Sequence, residues 1–119
     1  MRDYKKIEVW RLAHELVISI YKLTRSFPRE EMFGLTSQLR RAAVSVPANI
    51  AEGAVRKTKK EYHQFLYTAM GSLTEVGYYI ELSIELKYIN KSDFDSLIEL
   101  KNKTASKLYR LIEAVEKEI

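Results

Sequence analysis

Residues 38–53, QLRRAAVSVPANIAEG, constrain the fold more than any other stretch of this 119-residue chain. Between positions 42 and 54 only Ser45, Asn49 and Glu52 are polar, and most of the rest are small. A helix built from such residues is apolar around most of its circumference and needs neighbours on more than one side. At helical spacing Leu35, Leu39, Ala42, Val46, Ile50 and Gly53 share one line, an ordinary core stripe. Gln38, Arg41, Ser45, Asn49, Glu52 and Arg56 share another. That second line is short-chained at its centre and mixed in sign, unlike the Lys/Glu carpet of a solvated face, so a second buried surface is expected. Arg41, Val44, Ser45, Pro47, Ala48, Asn49 and Glu52 are the residues expected to face another copy of the chain. Pro47 lacks an N–H and crowds the carbonyl four residues back, at roughly 3 kcal/mol, so a kink or restart is expected at residues 45–47. That bend either accommodates the proline alone or shapes a subunit contact.

The length fits one domain, residues 1–119, which buries enough surface to fold without disulfide or metal. With no cysteine, thiol chemistry, zinc knuckles and disulfide scaffolds are excluded, and a reducing compartment, the cytoplasm, is the expectation. Charge interrupts the first residues, and no apolar run approaches a membrane span, so no membrane partner is expected. Four Gly and two Pro among long amphipathic runs favour an all-helical domain. The net charge of +4 is unevenly placed. Residues 1–29 hold seven basic and three acidic side chains, residues 38–62 six and two, and residues 63–119 seven and nine.

A first helix is expected over residues 7–26, where Val9, Ala13, Leu16, Ile20, Leu23 and Phe27 follow the spacing of a packed seam that Trp10, Val17 and Tyr21 widen. Pro28 ends it. Glu30 and Glu31 suit the start of the second helix, which lies somewhere in residues 29–36, with Gly34 able to mark a separate turn. Thr58 and Glu61 have the spacing of a capping box opening a third helix that reaches about Leu86, with Tyr62, Leu66, Ala69, Leu73, Val76 and Ile80 on its seam. Gly71 and Gly77 are read there as places of close backbone approach. Ser92 with Asp95 is expected to cap a fourth helix, whose stripe is Phe94, Leu97, Leu108, Leu111 and Val115, joined by Ile98, Ala105, Ile112 and Ile119. Four long helices on short turns imply an all-α, antiparallel up-down-up-down four-helix bundle.

A bundle invites a di-iron site, which needs Glu-x-x-His pairs, but Arg11 precedes His14 and Lys60 precedes His63 at that spacing. No metal or other cofactor is expected, and the two histidines read as surface or rim residues. The glycines are too scattered for a phosphate loop, and Ser45 and Ser72 have no local base. Glu52 beside Asn49 is the one conceivable general base, but satisfying the backbone around Pro47 or pairing with Arg40 or Arg41 explains the pair better. No enzyme and no catalytic residue is expected. For nucleic acid the relevant side chains are Arg40, Arg41, Arg56, Lys57, Lys59 and Lys60, followed by Tyr62, His63, Phe65 and Tyr67. Lys59 and Lys60 stand where a helix macrodipole disfavours cations, and with the free helix N–H groups they make a phosphate-type anion site. Without a helix-turn-helix or RNA-recognition signature, sequence-blind phosphate contact is what such a patch supports.

The segments Gln38-Leu39-Arg40-Arg41-Ala42-Ala43, Ser45-Val46-Pro47, Asn49-Ile50-Ala51-Glu52-Gly53 and Gly71-Ser72-x-x-Glu75, with Val9-Trp10 and Phe27-Pro28 before them, resemble the 23S ribosomal RNA intervening-sequence proteins, and the likeness covers nearly the whole chain. The resemblance implies an up-down four-helix bundle that assembles with itself, as a pentameric ring in the form known for the family. Some relatives are encoded inside insertions in ribosomal RNA genes. The accessory proteins of diversity-generating retroelements are similar in shape and basic, with nucleic-acid binding implied. The family name records gene location, not an activity. Two functions follow as expectations: rings that gather their basic turns to bind RNA or DNA through phosphates, or a structural adaptor whose ring presents a surface to a protein partner.

Overall fold

The computed structural model describes residues 2–119. It contains four α-helices: α1 (Glu8–Thr24), α2 (Leu35–Ala54), α3 (Lys59–Glu85) and α4 (Lys91–Glu116). Each packs on its neighbours in chain order, α4 closing back onto α1, with no diagonal pairing among the described residues. This is the expected up-down-up-down bundle. Its long dimension of 44 Å matches one 27-residue helix.

The seams of α1, α2 and α3 are occupied largely as their periodicity requires. Leu16, Ile20, Leu39, Val46, Ile50, Leu66, Leu73, Val76 and Ile80 are all at most 1 % exposed. The outer members of the α1 seam depart from this pattern: Leu23 and Trp10 are half-buried and Tyr21 is exposed. In α4 the buried line is Leu97, Thr104, Leu108, Ile112 and Val115. Phe94, Ile98, Ala105 and Leu111 flank it half-buried, and Ile119 lies exposed beyond the helix. Thr104 escaped the hydrophobic pattern because its hydroxyl donates to the Leu100 carbonyl at 2.7 Å and so enters the core satisfied.

The turns correct several sequence expectations. Residues Arg29–Glu31 form a separate 3-10 turn, and α2 begins after Gly34. Glu31 Oε1 accepts from Leu35 N at 3.1 Å, so this acidic residue serves the start of α2 from outside it. Its Oε2 accepts from the Tyr88 hydroxyl at 2.8 Å, tying the turn after α3 to the turn before α2. Both bonds, that from Tyr88 foremost, hold the Glu31 carboxyl below the ordinary carboxylate range, and the same contact raises the Tyr88 phenol. The Thr58–Glu61 capping box of α3 is present. The cap of α4 is Asn90, whose side chain accepts from Asp93 N at 2.8 Å, instead of Ser92, which lies within the first turn.

Helix α2 does not restart at Pro47 but continues as one element. The Asn49 side-chain amide donates to the Ser45 carbonyl at 2.7 Å and to Ser45 Oγ at 2.9 Å, bracing the turn that holds the proline. Burial of Ala42, Ala43, Val46 and Ile50 offsets the proline's cost by tertiary packing. Gly53 is the close approach: a Cβ there would stand 2.7 Å from Phe65 Cβ. Gly71 is not one, since nothing lies within 4 Å of its missing Cβ, and Gly77 meets the Lys101 stem, not a backbone.

Candidate functional site

The antiparallel order brings the chain's start, the α2–α3 turn and the end of α4 to one end of the bundle. The Tyr4–Lys6 turn packs beside α1 and α2. Arg2 Nη1 donates to the Ala54 carbonyl at 3.2 Å, and the guanidinium lies 4.3 Å above the Tyr62 ring. Burial raises the Tyr62 phenol, against the opposing pull of Arg2. Lys5 and Lys6 are exposed in the Tyr4–Lys6 turn. Two basic segments separated by a helical hairpin thus lie at the same end of the bundle. Sequence reasoning did not select Arg2, Lys5 or Lys6; the excess charge of residues 1–29 was the available signal, and only topology shows which end it reaches.

The six basic residues singled out from sequence are not one patch. At the α2–α3 turn, Arg56 Nη2 binds Glu52 Oε1 at 2.8 Å, with its guanidinium 4.9 Å above Phe65. Lys59 Nζ binds Glu118 Oε2 at 2.6 Å. Lys57 and Lys60 are exposed and form no ion pair among the described residues. Arg40 and Arg41 lie some 15 residues earlier on α2, about 23 Å away along the axis. Arg40 Nε donates to Thr24 Oγ1 at 2.8 Å and its guanidinium stacks on Tyr21, which ties it to α1. Arg41 is exposed. Lys5, Lys6, Lys57 and Lys60, with Lys117 at the end of α4, are exposed cations at this end without an ion pair among the described residues. Glu61 already accepts from the Thr58 N–H at 3.3 Å and hydroxyl at 3.0 Å, so a phosphate at this turn meets flexible lysines more than a bare helix terminus.

The seven residues expected to face another copy divide between two sides of α2. Val44, Pro47 and Ala48 line a shallow groove of about 280 Å³ against α1, with Trp10 and Val17 opposite. Val44 is 40 % exposed. Exposed His14 stacks parallel on Trp10 at 5.1 Å, on the rim of this groove. Ser45 and Asn49 turn toward α3, where Ser45 Oγ lies 2.8 Å from Ser72 Oγ. Arg41 and Glu52 are exposed, and Glu52 pairs with Arg56 instead of Arg40 or Arg41. Beyond Ser72 the outer face of α3 holds the open Gly71 between exposed Tyr67 and Tyr78.

His63 is half-buried, edge-on to Tyr67, with Nε2 unpartnered. Among the described residues, no three His, Cys, Asp or Glu side chains gather as metal ligands, and no helix is long and apolar enough to cross a membrane.

A similar solved structure is that of a protein of unknown function from the S23 ribosomal protein family of Bacteroides thetaiotaomicron. It is 23 % identical, with a TM-score of 0.79 over 87 % of this chain and 97 % of that one. At that identity the likeness supports the fold. No curated protein matches the chain. The model of the 23S rRNA-intervening sequence proteins matches residues 5–110, which take in α1 to α3, most of α4 and the motifs around Pro47 and Gly71. The chain belongs to the 23S rRNA-intervening sequence protein family.

Proposed function

We propose that the protein is a non-catalytic bundle that assembles with itself through the outer surface of α2 and binds nucleic acid, RNA foremost, through the phosphates. The observation carrying this reading is that Lys5 and Lys6 lie exposed at the same end of the bundle as Lys57 and Lys60, without an ion pair among the described residues. A surface of exposed lysines suits phosphates of any sequence. One copy offers few such contacts, and a ring, pentameric as the family resemblance implies, multiplies them without new chemistry. The exposed apolar residues Val44 and Ala48, beside the groove at Trp10, support α2 as the contact surface.

The test replaces Lys57 and Lys60 by Gln and compares binding of a fluorescent structured RNA with that of the wild type. The variant should bind more weakly at every RNA sequence tried, and its salt dependence should fall by about 1.5 in log–log slope if both lysines meet phosphates. Unchanged affinity and slope would remove the basic end from the account and leave an adaptor for a protein partner.

A further inference from the structure

The seam between α1 and α4 is the least extensively packed of the four. It holds two adjoining depressions, of about 310 and 320 Å³, that share Glu15, Ser96 and Leu100. Leu12, Leu23, Leu97 and Leu100 supply their apolar walls; of these only Leu97 is fully buried. From Leu12 to Leu23 the groove follows α1 for about 16 Å, three helical turns.

Its charge opposes that of the molecule. Glu15, Asp93 and Glu99 line it against a single cation, Lys103, in a chain of net charge +4. None of the three carboxylates forms an ion pair among the described residues, and the one bridge across this seam, Glu8 to Lys107 at 2.9 Å, lies further toward the basic end. That bridge lowers the Glu8 carboxyl, chiefly through its bond from Lys107. Asp93 has a local reason for its place, since it lies in the first turn of α4. Glu15 and Glu99 lie within their helices and have no such reason. Carboxylates thus stand on both helices of the seam, and Leu12, Leu23 and Leu100 beside them are left partly exposed.

We propose that this groove seats a basic amphipathic helix of a protein partner. A helix of three or more turns would lay apolar residues at i, i+4 and i+7 on the leucines and place flanking Lys or Arg beside Glu15, Asp93 and Glu99. The same carboxylates repel nucleic acid, so the partner and a phosphate ligand occupy separate regions of the molecule.

The probe is a fluorescent 18-residue peptide with leucines at that helical spacing and lysines elsewhere, beside a counterpart with glutamates in place of the lysines. The lysine peptide should bind saturably and the glutamate peptide should not. Amide shifts on a ¹⁵N-labelled sample should cluster at Leu12, Glu15, Ser96 and Leu100. The exposed pair Glu15→Lys and Glu99→Lys should weaken binding at least about tenfold. Ser96→Trp, which fills the groove without changing its charge, should abolish it, and both variants should melt as the wild type does. Shifts mapping to another surface, or binding that survives both variants, would overturn the proposal. A change in particle mass caused by the groove variants alone would also overturn it, by assigning the groove to a second copy.

Discussion

Helices α2 and α4 are both long and amphipathic, yet they meet their surroundings differently. Of the 20 residues of α2, ten are buried; of the 26 of α4, five are. Helix α4 has one apolar line backed by Lys, Glu and Asn, which water solvates at no cost. Helix α2 turns Ala42, Ala43, Val46, Pro47 and Ile50 inward, keeps Ser45 and Asn49 half-buried, and exposes Gln38, Arg41, Val44, Ala48 and Glu52. The difference teaches where the proposed self-assembly is to be looked for: between the isolated charges Arg41 and Glu52, α2 exposes the apolar Val44 and Ala48, where the back of α4 is largely polar.

The comparison is broken most severely at the core. Ile50→Ala in α2, fully buried, should cost about 2–5 kcal/mol in denaturant unfolding, whereas Leu111→Ala at the half-buried edge of α4 should cost clearly less. Equal losses would mean that the two helices are held alike. The two glycines sharpen the comparison next. Gly53→Ala meets Phe65 and Tyr62 and should destabilise by about 1–3 kcal/mol, while Gly71→Ala, open to space, should stabilise the isolated bundle by about 0.5–1 kcal/mol. On the outer surfaces, Val44→Glu with Ala48→Glu should lower the mass seen by light scattering, and Ser106→Glu on α4 should leave it unchanged.

The smallest expected effect is on pH dependence. Glu31, whose pKa is depressed by Tyr88 and Leu35, contributes stability that is complete above its unfolded value and is lost as pH falls through the folded one. Thermal melts from about pH 6 to pH 3 should therefore fall less for Glu31→Gln than for the wild type; parallel curves would show that the link to Tyr88 contributes nothing.

The bundle was legible because its seams repeat over several turns, and Leu66, Leu73 and Ile80 have no other use. The ends were less so. Asn90 and Ser92 both cap well in principle, and a capping side chain is chosen by the turn's geometry, which spacing does not carry. Gly71 and Gly53 look alike in a sequence, but one faces open space and the other a phenylalanine. At the candidate site, the basic α2–α3 turn was legible and its partners were not. That Arg2 reaches Ala54, that Lys59 is occupied by Glu118, and that Arg40 belongs to α1 all depend on tertiary contacts across long stretches of chain. The α1–α4 groove was invisible for the same reason, since Leu12, Leu23 and Leu100 read as ordinary helical leucines.

The most direct test of the central claim is the affinity of nuclease-treated protein for a structured RNA and a matched duplex DNA, measured across a series of salt concentrations. Phosphate binding by the basic end predicts measurable affinity for both, with log affinity falling linearly against log salt at a slope of about −0.7 to −0.9 per phosphate neutralised. Absence of binding at the lowest salt, or binding indifferent to salt, would contradict it.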